Sequence, residues 1–170
     1  MKVYSTRPTA RNQAPAPWVA WARGRWQGVT ARRLAFALAL LLGLQFLLGM
    51  LANLYVMVPA AHPGSQASNF FVGVFQGDFW AIAQSSLWLR LHVLLGLVIF
   101  LGAIVLVVRA VADRDRAWII LSTLGLLGIV GAGFNGASFM NYGHNFSSLI
   151  MSATFLLALI AYVIGLYIQR

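Results

Sequence analysis

The chain has 170 residues, 61% of them hydrophobic and only 9% charged, with twelve Lys or Arg, three Asp or Glu, three His and no Cys. So apolar a chain leaves no length for a second, soluble catalytic domain, and the lack of cysteine excludes iron–sulfur clusters, thiolate metal sites, covalently attached haem and disulfides. The net charge of +9 does not point to nucleic acid, because eleven of the twelve basic residues fall on one side of four apolar stretches and only Arg90 on the other.

Residues 1–33 form a basic tail with Pro8, Pro15 and Pro17 and three tryptophans, Trp18, Trp21 and Trp26. Its Pro-rich beginning is expected to be irregular, and Trp18, Trp21, Arg25 and Trp26 suggest a short interfacial segment with rings toward lipid and arginines toward phosphate. A solvated basic tail is the plainer alternative.

The four apolar stretches, residues 34–57, 87–108, 117–134 and 146–168, are 18 to 24 residues long and contain one charge, Arg90. At about 1.5 Å per residue each spans a hydrocarbon core of about 30 Å, the third only just. Backbone in lipid has no water to bond, so the spans are predicted to be helices. The fold class is therefore all-α: an integral membrane four-helix bundle over residues 34–170, with the tail as its N-terminal interfacial segment. Arg32-Arg33 before the first span and Pro59-Ala60-Ala61 after it resemble an export signal, but the length of the run and the three later spans favour a retained helix.

Between the first two spans, His62-Pro63-Gly64 marks a turn, and Phe71, Val74, Phe75, Phe79 and Ile82 fall at helical spacing. They predict an outer interfacial helix over residues 69–82, with Asp78 at its watery edge and Trp80 at its interfacial edge. Short connections at residues 109–116 and 135–145 make the later spans antiparallel neighbours, and Ser147 or Ser148 is expected to cap the fourth. The distribution of Lys and Arg predicts a multi-pass membrane protein with both termini cytoplasmic.

Small residues recur every four positions: Ala35, Ala39 and Gly43, then Gly128, Ala132 and Gly136, then Ala161 and Gly165. Such faces let membrane helices approach closely, within the bundle or against a partner. Gln45, Gly49 and Asn53 share one face of the first span, where amides in lipid must find partners.

The histidines are the candidate chemistry. His92 lies about 7–8 Å inside the second span at ~1.5 Å per residue, and His144 just precedes the fourth. Imidazole is the usual axial ligand of a membrane tetrapyrrole, so the pair is a candidate site for one b-type haem. Arg90 would meet a propionate, and Gly96 would leave room for a flat ring. Two alternatives stand beside this reading: His92 alone on the magnesium of a chlorophyll-type pigment, and His92 in an ordinary interhelical hydrogen bond with His144 wet. Copper at His62, His144 and Met140 follows no recognisable spacing. Asp78 is the only acid on the outer side, so a Ser nucleophile lacks its carboxylate, and the absence of Asp, Glu and Lys inside the spans argues against a proton-coupled transporter.

The segments Asn53-Leu54-Tyr55, His62-Pro63-Gly64 and Ser68-Asn69, with Gly133-Phe134-Asn135-Gly136-Ala137-Ser138-Phe139 and Ser147-Ser148-Leu149-Ile150-Met151, resemble a set of small four-span proteins of bacterial, especially actinobacterial, genomes. The resemblance covers the spans and omits the basic tail; it implies a shared bundle and no assigned activity. A looser likeness, one outer histidine on each of two helices, is to membrane cytochromes b. Those usually hold their ligands deeper and in pairs on one helix. The function expected from the sequence is a non-catalytic accessory subunit of a respiratory or photosynthetic inner-membrane complex, in contact with lipid and with larger protein partners. An electron-transfer subunit with haem b is second, and a free-standing transporter or sensor third.

Overall fold

The structure is a computed structural model that describes residues 30–168. The proposed tail segment with Trp18, Trp21 and Trp26 lies outside the described residues. Five helices follow in order: α1 (Ala31–Tyr55), α2 (Phe70–Gln84), α3 (Leu87–Asp113), α4 (Arg116–Tyr142) and α5 (Asn145–Ile168). All but α2 are long and apolar enough to cross a membrane. The fold is an all-α four-helix membrane bundle with α2 as a shorter, fifth helix.

Close contacts at glycines fix the neighbours. A Cβ built on Gly49 would meet His92, one on Gly96 would meet Gln45, and one on Gly102 would meet Leu38, so α1 and α3 run antiparallel in close contact. In the second hairpin Gly128 abuts the Thr154 carbonyl and the Ala158 backbone, Gly131 abuts Thr154, Gly136 abuts Met151, and Gly165 abuts Trp118. These small residues bring α4 and α5 to backbone contact, the arrangement that helix association needs where lipid supplies no hydrophobic drive. The small-residue face of α1 behaves differently. Ala35 is fully buried, whereas a Cβ on Gly43 would meet nothing within 4 Å.

The apolar core occupies the half of the bundle nearest the α3–α4 turn, where Leu38, Leu42, Ile99, Leu106, Trp118 and Tyr162 interlock. Outward faces carry exposed Phe36, Leu40, Leu47, Leu101, Leu127 and Leu149, as lipid-facing helices should. Polar side chains collect in the other half, toward α2.

Local chemistry sets the ends of the helices. Asn69 caps α2 by accepting from the Phe71 and Val72 amides, and Asp115 caps α4 by accepting from Ala117 and Trp118. Arg114, at φ 56°, and Gly143, at φ 67°, take the left-handed conformation that closes α3 and α4. Arg109 pairs with Asp113 at 2.9 Å across one helical turn.

Several boundaries differ from those expected: the first span starts at Ala31, the second runs on to Asp113, and two further differences involve polar residues. Helix α4 continues through residues 135–142, which hydropathy assigns to a loop. Asn135 donates to the Gly131 carbonyl at 2.8 Å, Ser138 bonds Ser147 at 3.1 Å, and Asn141 is buried against α2, so the polar run finds partners while remaining helical. Likewise α5 starts at Asn145, ahead of either candidate serine cap. Ser147 faces Ser138, and the His144 carbonyl accepts from the Ser147 and Ser148 amides to begin the helix.

Candidate functional site

Two polar clusters stand out, each centred on a histidine. The first lies between α1 and α3. The Gln45 amide nitrogen donates to the His92 carbonyl oxygen at 3.1 Å and sits 3.4 Å from His92 Nε2. The imidazole lies against α1 at Gly49, its Cε1 only 3.0 Å from where a Cβ there would be. Facing it, the Gln45 amide fills the space beside Gly96, 3.3 Å from a Cβ built there. Each glycine thus accommodates the polar side chain of the opposite helix. With Nε2 facing an amide donor, the ring proton belongs on Nδ1; that atom and Gln45 Oε1 are buried without a partner. Asn53, the third amide on this face of α1, is exposed.

The second cluster joins the loop after α1 to α2 and α4. His62 Nδ1 lies 2.7 Å from the Pro59 carbonyl oxygen, and His62 Nε2 lies 3.1 Å from Asn141 Oδ1. The Asn141 amide nitrogen donates to the Gly73 carbonyl at 2.9 Å. The His62 and Trp80 rings are in contact at a tilt of 33°, with centroids 4.7 Å apart. Gly73 and Gly77 make this approach possible: a Cβ on Gly73 would lie 2.7 Å from the Tyr142 hydroxyl, and one on Gly77 would strike Asn141. Gly64, at φ +98°, lets the loop lie on the same helix face. Spacing of Gly73 and Gly77 at four residues was the available sequence signal for this contact. Asn141 carries no signal of its own until α4 is known to continue past Phe134.

The remaining candidates lie apart from both rings. The Arg90 guanidinium donates to the Ala83 and Ser85 carbonyls at 3.3 and 3.2 Å, closing the end of α2, and its Nε is buried without a partner. His144 is exposed in the α4–α5 turn, its ring 6.1 Å from that of Tyr142. Gly128, Ala132 and Gly136 lie on α4, with Gly128 and Gly136 turned to α5. Asp78 is half-buried on α2, and burial raises its carboxyl to a pKa of about 6.

A haem on His92 does not fit this packing. Iron at Nε2 would displace the Gln45 amide, Nδ1 faces the backbone of α1, and Arg90 is engaged by α2. The same obstruction meets a pigment magnesium. Among the described residues no three His, Cys, Asp or Glu side chains are gathered around a common metal position. Two open depressions lie near the second cluster. One is lined by Ala61, His62, Gly64, Ser65 and Gln76, the other by Tyr55, Pro59, Trp80, Gln84 and Ser86.

No family model, curated protein or solved structure matches the chain. What the site can do therefore rests on its own geometry. Its hydrogen bonds bind helix to helix and loop to helix.

Proposed function

We propose that this chain is a non-catalytic accessory subunit of a larger bacterial inner-membrane assembly of the energy-transducing kind, respiratory or photosynthetic, with both termini cytoplasmic and α2 on the outer side. The observation that carries the reading is the use made of His92. It is the intramembrane residue best suited to cofactor chemistry, and it is spent on holding α1 to α3 through Gln45 and Gly49. Support also comes from Gly43 and Gly133, where an added Cβ would meet nothing and the backbone is open to a neighbouring helix. The orientation rests on the basic residues at the α1 start and the α3–α4 turn, against Arg90 alone at the other end.

The test is an absorption spectrum of the gently extracted protein beside its His92→Gln variant. The expected result is that any Soret band, contributed by partner subunits, is equal in the two preparations. A band present in the wild type and lost from the variant would overturn the accessory role in favour of an electron-transfer subunit.

A further inference from the structure

We infer that α2 binds lipid: acyl chains at the outer edge of the bilayer cover its Phe71, Phe75 and Phe79 rings, and α2 itself stands where lipid would otherwise meet the polar end of α4. This role is separate from the accessory one and does not rest on it.

Two rows of four-residue spacing run along α2. Gly73, Gly77 and Ala81 are buried. A Cβ on Gly73 would meet the Tyr142 hydroxyl and one on Gly77 the Asn141 amide, so this row faces α4. Phe71, Phe75 and Phe79 are offset from it by two positions, about 200° around the helix, and are 59%, 69% and 73% exposed. The aromatic row therefore points away from the bundle, with exposed Val72 beside it and half-buried Asp78 at its flank. So contiguous an apolar surface marks a contact with something other than water.

What covers it follows from where α2 is fastened. Ile120, Leu127, Phe134 and Asn141 recur every seven residues and so share one face of α4. Ile120 and Leu127 are exposed, as on the other lipid-facing surfaces. Farther out, α2 takes over the same stripe. The Phe71 ring meets Phe134 edge-on at 5.9 Å, and Asn141 is buried with its amide donating to the Gly73 carbonyl. The Phe70 ring lies 6.5 Å from that of Phe134 and 6.4 Å from that of Tyr142, about two helical turns farther along. Helix α2 thus lies along the side of α4 and not over its end. Fastened to a lipid-facing stripe with its aromatic row turned outward, it continues the surface of Ile120 and Leu127.

The depth of α2 agrees with this. About 20 helical residues cross the hydrocarbon core, and counted from Arg116 they end near Asn135. Contacts at Phe134, Asn141 and Tyr142 put α2 at the headgroup–acyl boundary, where amphipathic helices bury an apolar face. Asn141 supplies the physical reason for the arrangement: an amide on a lipid-facing stripe finds no partner in lipid, and the Gly73 carbonyl provides one.

The chain has no cysteine, so Phe75→Cys, Phe79→Cys and Gln66→Cys each carry a single nitroxide label in the full-length protein in phosphatidylcholine nanodiscs. Dissolved oxygen concentrates among acyl chains, whereas a nickel chelate stays in water. The ratio of oxygen to nickel accessibility at positions 75 and 79 should exceed that at exposed Gln66 several-fold. Equal ratios at all three would overturn the proposal. Should Phe75→Cys not fold, Phe79→Cys reads the same face. In the protein's own membrane, a benzophenone-bearing phenylalanine at position 75 should crosslink to phospholipid, as the same probe does at lipid-facing Leu127. Adducts to another polypeptide would overturn the lipid assignment and leave the accessory role standing. Adducts at 127 with none at 75 would overturn it as well.

Discussion

Replacing Gly128 by Ala tests whether backbone contact between α4 and α5 holds the bundle together. The new Cβ would lie 2.6 Å from the Thr154 carbonyl oxygen, 2.9 Å from the Ala158 nitrogen and 3.0 Å from the Ala158 Cβ. The nearest two are backbone, so no side chain can rotate away. Reaching the 3.4 Å of ordinary contact from 2.6 Å requires the helices to part by about 0.8 Å locally. A gap of 0.5–1 Å forfeits roughly a quarter to a half of each dispersion well of about 0.1–0.2 kcal/mol, and a seam has tens of such pairs. The loss is therefore on the order of 1–3 kcal/mol, in line with other overpacked interiors. Against it stands a gain of up to about 1 kcal/mol from exchanging Gly for Ala in a helix. Gly43→Ala is the matched control, because its Cβ enters open space and only that gain remains. Reversible unfolding in mixed micelles should place Gly128→Ala below the wild type and Gly43→Ala level with it or above. Equal stability for Gly128→Ala and Gly43→Ala would refute the backbone-contact reasoning.

The Gln45–His92 contact should show a coupling of about 0.5–1.5 kcal/mol in a double-mutant cycle of Gln45→Leu and His92→Leu, whereas additive effects would mean that the two side chains act separately. Asp78 has a folded pKa of about 6 against an ordinary 3.8, so the folded state binds its proton more tightly. Its contribution is fully present below pH 3.8 and is lost as pH rises through about 6, by no more than about 3 kcal/mol, and Asp78→Asn should flatten that part of the stability profile. Asn69→Ala removes the side-chain cap from the Phe71 and Val72 amides and should cost about 1 kcal/mol, seen as faster hydrogen exchange at the first turn of α2 with the four long helices unaffected.

The four long helices were legible because hydropathy and length answer directly to the membrane, and α2 because its aromatic residues repeat at helical spacing. The far end of α4 was not, since hydropathy treats Asn135, Ser138 and Asn141 as loop residues when their partners are unknown. Asn141 finds its partner on α2, 68 positions away in the chain. The spacing of Gln45 with Gly49 and Asn53 specified a face of α1 but not a partner, because the bond from Gln45 to His92 depends on how α1 and α3 face each other. The room expected beside Gly96 exists, and the Gln45 amide occupies it. On α4 the four-residue pattern of small residues places Gly128 and Gly136 against α5. On α1 the same pattern turns Gly43 outward, because spacing specifies a face without specifying what lies against it.

The most direct measurement of the central claim is the native mass and subunit content of the full-length protein, gently extracted from its own membrane. The accessory role predicts a particle of defined composition in which this chain accompanies other membrane polypeptides, respiratory or photosynthetic ones among them. A homogeneous particle containing this chain alone would contradict it.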